Sequence, residues 1–123
     1  VLATVAADAS PHIVAMRGFL VAREGAAAAL VMDLLQGGSI EQAAKKRTFD
    51  DRHVAYAAHC LLLALQTLHG HGIMHRDLKS ANCMLDVDGG VRLIDMGLAV
   101  AAPTSTTVCG SPFWMAPEMI RRQ

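Results

Sequence analysis

The sequence predicts an α+β fold in which short strands precede and follow one long helix. Three patterns lead to this prediction: two apolar runs of strand length near the start, a long amphipathic helix in the middle, and a hairpin pattern after it. Hydrophobic residues make up 53% of the 123 residues, whereas aromatic residues make up only 4%. We therefore expect a packed core built mainly from alanine and aliphatic side chains.

The first two predicted strands lie before the helices. An apolar stretch over residues 14–21 follows Pro11, which disfavours helix in the residue before it. The turn residues 23–25 separate this stretch from a second apolar run over residues 28–35. The spacing predicts two adjacent strands, with a Gly-Gly turn closing the second.

Two helices are predicted next. Ser39 can cap a short helix over residues 40–46, because its hydroxyl can accept a hydrogen bond from a free amide of the first turn. Asp50 or Asp51 can cap the long helix in the same way, and Gly70 can close its end. Apolar residues of the long helix recur at spacings of three and four along one face: Val54, Ala57, Ala58, Leu61, Leu62, Leu65 and Leu68.

A short strand at residues 73–74 and a β-hairpin complete the predicted elements. The hairpin has apolar runs at residues 83–85 and 91–94 around a glycine-rich turn at residues 86–90. The aspartates of this turn are turn formers on a solvated loop. The segment from residue 98 to residue 108 has no periodicity, so a loop is expected there.

Three side chains at the ends of this hairpin and just before it suggest a chemistry. Asp77 lies five residues before Asn82, and Asp95 follows the hairpin. A carboxylate can accept a proton from a hydroxyl group. Carboxylate and amide oxygens are also the hard ligands that Mg²⁺ prefers. Together these residue types predict a phosphoryl-transfer centre.

The motifs that contain these residues resemble the catalytic loop, magnesium loop and activation segment of the protein kinase family: His75-Arg76-Asp77-Leu78-Lys79-Ser80-Ala81-Asn82, Asp95-Met96-Gly97 and Ala116-Pro117-Glu118. The resemblance implies a protein-kinase-like fold. The chain would be a fragment that runs from the end of the N-lobe through the hinge and catalytic loop to the activation segment. Residues 1–35 would form the end of the N-lobe and the hinge, and residues 36–123 the first part of the C-lobe.

The resemblance also implies the activity and its cofactors. A serine/threonine protein kinase transfers the γ-phosphate of ATP to a hydroxyl of a protein substrate, with ATP and Mg²⁺ as cofactors. Asp77 would accept the proton of the substrate hydroxyl, and Lys79 would reach the transferring phosphate. In the family, a lysine at that place accompanies serine/threonine specificity. Asn82 and Asp95 would hold Mg²⁺.

Four residues are implied in binding the adenine. Met32 would be the gatekeeper, Asp33 and Leu35 would offer backbone groups, and Met84 would lie beneath the ring. Without the resemblance, the same residues would be part of a buried strand and an ordinary core methionine.

The activation segment is implied to carry regulation and substrate binding. A phosphate on one of four clustered hydroxyl residues could pair with Arg76, order the segment and align Asp77; these are Thr104, Ser105, Thr106 and Thr107. Residues 110–118 resemble the substrate-binding end of the segment in serine/threonine kinases, with Gly110, Ser111, Pro112 and Glu118 as its candidate residues. The tyrosine-kinase-like and sterile-kinase groups both fit, and the choice between them stays open.

Two departures from the family pattern affect these expectations. Met96 stands where phenylalanine is usual; it is apolar and flexible, so it can still fill the pocket that ties the magnesium loop to the helix of the N-lobe. We expect this substitution to shift the balance between active and inactive states without abolishing the chemistry. The sequence also contains no glycine-rich nucleotide loop and no Val-Ala-Ile-Lys strand. The isolated fragment is therefore expected to be marginally folded or to aggregate, without measurable phosphotransfer.

Composition argues against several other classes. Lys and Arg number 11, and so do Asp and Glu, so no basic field suggests a nucleic-acid partner. No apolar run reaches the roughly 18 residues of a membrane span. The cysteines, Cys60, Cys83 and Cys109, are odd in number and lack metal-site spacing, which favours reduced thiols in the cytoplasm or nucleus.

Two other functions are possible from the sequence. The first is a truncated or pseudokinase-like binding module; the intact Asp77, Asn82 and Asp95 argue against it, although truncation alone could abolish catalysis. The second is a small-molecule phosphotransferase with a similar Asp-x-x-x-x-Asn loop; Lys79 and the segment of residues 110–118 argue against it. The sequence does not identify the protein substrate, the upstream regulator or the oligomeric state.

Overall fold

The computed structural model describes residues 10–21, 27–102 and 104–121. Its strands are β1 (Met16–Val21), β2 (Ala28–Met32), β3 (Ile73–Met74), β4 (Cys83–Leu85), β5 (Val91–Leu93) and β6 (Val100–Ala101). Its helices are α1 (Ile40–Lys46), α2 (Asp51–Gly70) and α3 (Pro117–Arg121), with 3₁₀ turns at Ser80–Asn82 and Pro112–Trp114. This mixture of helices and small antiparallel sheets confirms the predicted α+β class.

The described strands pair antiparallel as three two-stranded ribbons, β1–β2, β3–β6 and β4–β5. Backbone hydrogen bonds connect the first ribbon to the rest of the fold. The Asp33 N–H donates to the Ala15 carbonyl at 3.1 Å, after β2 has ended. The Val14 N–H donates to the Leu93 carbonyl at 3.0 Å, and the Leu93 N–H donates to the His12 carbonyl at 2.8 Å. The segment before β1 therefore runs beside β5.

These contacts explain where the strand predictions differ from the structure. The strand predicted from residue 14 begins at Met16, because Val14 bonds to Leu93 instead of to β2. The second predicted run ends at Met32, and the hairpin strand predicted to reach Ile94 ends at Leu93. Strand β6 lies where only a loop was predicted. The predicted turn at residues 23–25 lies outside the described residues.

Helices α1 and α2 both begin at the predicted caps. The Ser39 hydroxyl accepts from the Gln42 N–H at 3.1 Å, and the Gln42 side chain accepts from the Ser39 N–H at 3.0 Å. Asp50 caps α2 in the same manner, with its carboxylate accepting from the His53 N–H at 3.0 Å. Both cap predictions are thus confirmed.

Helix α2 ends at the predicted residue, Gly70, and His71 is its C-cap. The glycine in the left-handed region is not Gly70 but Gly72, with φ of 66°. Gly72 therefore reverses the chain, in the conformation that glycine adopts at low cost.

Within the described ranges, no helix combines the length and the apolar character needed to cross a membrane.

The buried core lies between α2 and the two strands β3 and β5. Helix α2 contributes Cys60, Ala64 and Leu68, and the strands contribute Ile73 and Leu93, each at most 1% exposed. Helix α1 packs against β4 and the turn Ser80–Asn82. The loops at the carboxyl ends of β3 and β5 therefore begin directly from strands that contribute to the buried core.

Candidate active site

Asp77 lies in the loop between β3 and β4 and is only 8% exposed. Its Oδ2 atom accepts from the Lys79 ammonium at 2.6 Å and from the Asn82 amide at 3.0 Å. Its Oδ1 atom accepts from the Ser111 hydroxyl at 2.8 Å. Three neighbours therefore fix the orientation of one buried carboxylate, and the sequence had predicted a site role for each of the four residues.

The Lys79 ammonium lowers the pKa of the Asp77 carboxyl from its ordinary value, although burial acts in the opposite direction. Hydrogen bonds from Ser111 and Asn82 lower this pKa further. Asp77 is therefore ionised at neutral pH, as a proton acceptor must be.

The imidazole of His75 connects this loop to the loop that holds Asp95. His75 is 2% exposed, and its Nδ1 accepts from the Asp77 N–H at 3.2 Å. The hydrogen is then on Nε2, which donates to the Ile94 carbonyl at 3.0 Å. No role had been predicted for His75; its position immediately after an apolar strand and two residues before Asp77 is the signal that could have found it.

Asn82 and Asp95 lie at the two ends of the β4–β5 hairpin, as predicted. Asn82 ends the 3₁₀ turn immediately before β4, and its carbonyl accepts from the Ile94 N–H at 2.9 Å. Asp95 is exposed and has φ of 63°, in the left-handed region, and its Oδ1 accepts from the Gly97 N–H at 3.1 Å. The hairpin thus brings the two predicted metal ligands to neighbouring loops.

Asn82 and Asp95 offer the kinds of donor atom that a divalent magnesium ion prefers. The Asn82 amide nitrogen donates to both the carbonyl and the carboxylate of Asp77, at 2.9 and 3.0 Å, so the amide oxygen is turned away from Asp77. The Asp95 carboxylate supplies a second hard oxygen donor. This set of amide and carboxylate oxygens matches the preference of Mg²⁺.

A cavity of about 910 Å³ lies between the β1–β2 ribbon and residues 94–97. Met32, Asp33, Asp95 and Met96 line it, so two of the predicted adenine residues share a cavity with a predicted metal ligand. Met96 also packs against the buried core.

The other two predicted adenine residues, Leu35 and Met84, are not among the residues that line this cavity in the described part of the chain. Leu35 is buried, and Met84 forms a β-bridge with Ser39. The backbone N–H of Asp33 already bonds to Ala15, so its carbonyl is the backbone group left for a ligand. The role of these four residues stays a prediction.

The segment after β6 reaches the catalytic loop at Gly110. This glycine has φ of 112°, and a Cβ atom added there would lie 2.6 Å from the Arg76 carbonyl oxygen. Only glycine fits both conditions. Because Gly110 lies so close to the catalytic loop, the next residue, Ser111, is within hydrogen-bond distance of Asp77. Pro112 then begins a 3₁₀ turn, and Glu118 is exposed in the first turn of α3.

The guanidinium of Arg76 joins two parts of the activation segment. Its Nε donates to the Leu98 carbonyl at 2.6 Å, and its Nη1 donates to the Ser105 hydroxyl at 3.1 Å. Ser105 is thus in contact with the cation predicted to bind a phosphate. Ser105 and the other three predicted phosphate acceptors are all exposed, namely Thr104, Thr106 and Thr107.

Comparison with known proteins gives a consistent result. The sequence model of the family described as the protein kinase domain matches residues 2–123. The chain is 51% identical over 96 residues to "Probable serine/threonine-protein kinase mkcB" of Dictyostelium discoideum, covering 76% of this chain and 13% of that protein. It is 41% identical over 97 residues to "Serine/threonine-protein kinase max-2" of Caenorhabditis elegans, covering 76% and 15%.

A third relative is "Serine/threonine-protein kinase shk1/pak1" of Schizosaccharomyces pombe, with 36% identity over 98 residues, covering 76% of this chain and 15% of that protein. The chain therefore spans less than a fifth of the length of each of these three relatives.

Proposed function

The chain belongs to the protein kinase family, and from this premise we propose that it is the catalytic core of a serine/threonine protein kinase. The proposed reaction transfers the γ-phosphate of ATP to a serine or threonine hydroxyl of a protein substrate. The observation that carries this proposal is the buried Asp77 carboxylate, which is ionised and in hydrogen-bond contact with a lysine, an asparagine and a hydroxyl group.

In this proposal Asp77 orients the substrate hydroxyl and accepts its proton. A general base must lie within hydrogen-bond reach of that proton, and the Ser111 contact supports such reach for Asp77 Oδ1. The positive charge of Lys79 lies beside the carboxylate of Asp77, because the Lys79 ammonium contacts both Asp77 and the Ser111 oxygen. That charge would stabilise the negative charge that develops on the transferring phosphoryl group.

Members of the family use ATP and a divalent metal, and we propose that Asn82 and Asp95 hold Mg²⁺ in this chain. When bound, the ion neutralises charge on the phosphates of ATP. The turned-out amide oxygen of Asn82 and the exposed carboxylate of Asp95 support this assignment. For the adenine we propose Met32 as gatekeeper, backbone contacts from Asp33 and Leu35, and Met84 beneath the ring.

A protein substrate is proposed in preference to a small molecule because of the segment of residues 110–118. Gly110 and Ser111 dock against the catalytic loop, which leaves the following Phe113 and Trp114 exposed at 95% and 51%. An exposed aromatic surface continuous with the catalytic loop suits a peptide chain better than a small metabolite. We also propose a cytoplasmic or nuclear location, which the free Cys60, Cys83 and Cys109 support.

The test is phosphate transfer from γ-labelled ATP by the full-length gene product that contains this chain, with Asp77→Asn as the variant. This nearly isosteric change removes the base, so we expect transfer to protein to fall by about 10²- to 10⁴-fold while ATP binding persists. Asp88→Asn, in the exposed turn of the hairpin, is the matched control and should keep full activity.

Three results would count against the proposal. Undiminished phosphate transfer by the Asp77→Asn variant would show that Asp77 is not the general base. Transfer to small alcohols or amines but not to proteins would favour the small-molecule phosphotransferase. Binding of ATP without any transfer would favour the binding module.

A further inference from the structure

We propose that Arg17 is a positioning residue for the nucleotide. Its ion pair with Asp33 fixes the segment that is proposed to contact the adenine, and thereby sets the affinity for ATP. The inference rests on the proposed function, because it concerns the same nucleotide site. It deepens that function by naming a residue outside the predicted site that determines how tightly the nucleotide binds.

A bulge in β1 brings the side chain of Arg17 to the end of β2. Residues 16 and 18 of β1 pair with residues 32 and 31 of β2 in turn, so Arg17 is an extra residue without a pairing partner in β2. Bulges of this kind change the direction of a side chain and are frequent beside active sites. Here the Arg17 guanidinium contacts Asp33, the residue that directly follows β2.

The contact between the two residues is an ion pair with two hydrogen bonds. Arg17 Nε donates to Asp33 Oδ1 at 2.5 Å, and Arg17 Nη2 donates to Asp33 Oδ2 at 3.0 Å. Because the fork of a guanidinium matches both oxygens of a carboxylate, the pair fixes the orientation of Asp33 as well as its position. The hydrogen bond from Arg17 is also the largest cause of the lowered pKa of the Asp33 carboxyl, which is therefore ionised at neutral pH.

The backbone of Asp33 is attached to the same part of the chain. Its N–H donates to the carbonyl of Ala15 at 3.1 Å, so backbone and side chain of Asp33 are bound to residues on either side of Met16. These two attachments restrict the rotation of the peptide group of Asp33. The Asp33 carbonyl, the backbone group left for a ligand, is thereby held in one orientation.

The ion pair lies at the cavity that is proposed to hold the nucleotide. Arg17 and Asp33 both line this cavity, together with the proposed metal ligand Asp95. The side chains of Arg17 and Asp33 are 64% and 27% exposed, so water competes for the pair and its effect on overall stability is small. Its effect on the position of Asp33, in contrast, acts directly on a ligand in the cavity.

A second arginine at the cavity has a different partner. Arg92 Nη2 donates to Asp86 Oδ2 at 2.9 Å within the β4–β5 hairpin. The charge of Arg92 contributes to the lowered pKa of Asp33, but among the described residues Arg17 is the cation hydrogen-bonded to that carboxylate. Removal of Arg17 therefore leaves Asp33 without a hydrogen-bonded cation.

The experiment measures the Kd of ADP by isothermal titration calorimetry and the KM of ATP by steady-state kinetics, both on the full-length protein. Arg17→Met removes the ion pair and keeps an unbranched side chain. We expect both constants to rise about three- to fivefold, at the upper end of the range for an exposed ion pair. The kcat at saturating ATP and the KM of the protein substrate should not change. A mere loss of folded protein would instead lower the apparent kcat and leave the KM of ATP unchanged.

Further variants make the result specific to the pair. Arg17→Lys keeps the charge but not the fork, so its Kd should be intermediate. In the Asp33→Ala background, Arg17→Met should have no further effect, because the two residues act as a unit. Exchange of the charges, Arg17→Asp with Asp33→Arg, should restore part of the affinity.

Lys45→Met is the matched control. It also removes an exposed ion pair, from Lys45 to Glu41 at 2.7 Å, and neither of these α1 residues lines the cavity. We therefore expect the Kd of ADP and the KM of ATP to remain unchanged in this variant.

The outcomes separate this inference from the proposed function. Unchanged nucleotide binding in Arg17→Met, with phosphate transfer intact in the unmodified protein, overturns the inference alone. A further rise in Kd from Arg17→Met in the Asp33→Ala background also overturns it, because Arg17 would then contact the nucleotide itself. Binding that depends on the ion pair, in a protein that transfers no phosphate, supports the inference and overturns the proposed function. A protein that binds neither ATP nor ADP overturns both.

Discussion

The buried imidazole of His75 donates to the Ile94 carbonyl at 3.0 Å and accepts from the Asp77 N–H at 3.2 Å. One side chain thus connects the loop of the proposed base to the loop of a proposed metal ligand. Because both loops are irregular, their relative position depends on few contacts, and this pair is one of them. The proposed reaction needs the two loops at a fixed position relative to each other, so the imidazole has a positioning role.

His75→Leu should therefore impair both stability and transfer. The buried Asp77 N–H would lose its acceptor, which we expect to lower the free energy of unfolding by about 1–3 kcal/mol. Displacement of Asp77 should reduce kcat by about 10- to 100-fold. Denaturant titration and steady-state kinetics measure the two effects. His59→Leu, on the exposed face of α2, is the control. Equal changes in kcat and in the free energy of unfolding for the two variants would refute the positioning role of His75.

The second prediction concerns the pH dependence of Asp77. Its pKa is lowered in the folded chain, so the contacts of the ionised carboxylate stabilise the fold above the unfolded pKa and are lost as pH falls through the folded pKa. Lys79 is the largest cause of this lowering and burial opposes it. Lys79→Met should therefore raise the pKa of Asp77.

The measurement is the acid limb of kcat/KM against pH. We expect this limb to move to higher pH in Lys79→Met than in the unmodified protein, irrespective of the lower maximal rate. Lys46→Met, at an exposed position of α1, should leave the limb in place. An unmoved limb in Lys79→Met would mean that another group sets the titration.

Local features of this fold could be predicted from the sequence. The caps Ser39 and Asp50 act on amides within one helical turn, so short motifs were sufficient to find them. The hairpin that separates Asn82 from Asp95 is equally local, because its turn and both strands are consecutive. The places of Asn82 and Asp95 at the two ends of this hairpin could thus be predicted from the amino-acid sequence alone.

Contacts between distant residues could not be predicted in this way. Strand β6 is two residues long and pairs with β3, so neither its length nor its periodicity distinguishes it from a loop. The Ser111–Asp77 hydrogen bond joins residues 34 apart, and the His75–Ile94 bond joins residues 19 apart. Gly70 and Gly72 lie two residues apart, and only the structure shows that Gly72 has the left-handed φ.

The third prediction concerns regulation by phosphate at the Arg76 guanidinium. Arg76 already contacts the Ser105 hydroxyl at 3.1 Å, and a phosphate there would add charge-assisted hydrogen bonds. Replacing the four hydroxyl residues 104–107 together should lower the activity of protein isolated in its phosphorylated form, and Arg76→Ala should have a similar effect. Ser105→Ala should account for more of the loss than Thr107→Val. Unchanged activity in the fourfold variant would exclude this regulation.

The fourth prediction is that the 123-residue chain alone is marginally stable and does not transfer phosphate. Phe19 on the β1–β2 ribbon and Phe113 after Ser111 are 64% and 95% exposed, and exposed apolar groups and strand edges favour aggregation. The light scattered per unit mass of protein should increase with protein concentration as the chain aggregates. Phe113→Ser should reduce this increase. A sharp thermal transition with Asp77-dependent transfer by this chain would show that it is self-sufficient.

The final prediction tests the close approach of Gly110 to the catalytic loop. Gly110→Ala adds a Cβ atom 2.6 Å from the Arg76 carbonyl oxygen at a φ of 112°, so the activation segment must shift away from Asp77. Gly89→Ala is a matched control, since Gly89 also has positive φ, at 80°, but has open space around its missing Cβ.

Both alanine variants should lose about 1 kcal/mol or more of unfolding free energy from the strained conformation. Only Gly110→Ala should also break the Ser111–Asp77 bond, and we expect it to reduce phosphate transfer by at least about tenfold. Chemical denaturation measures the loss of stability that comes from backbone strain. Steady-state kinetics measure the loss of phosphate transfer that comes from misalignment of the activation segment. Equal kinetic losses in the two variants would mean that backbone strain alone matters, and that the approach of Gly110 does not position Ser111 for contact with Asp77.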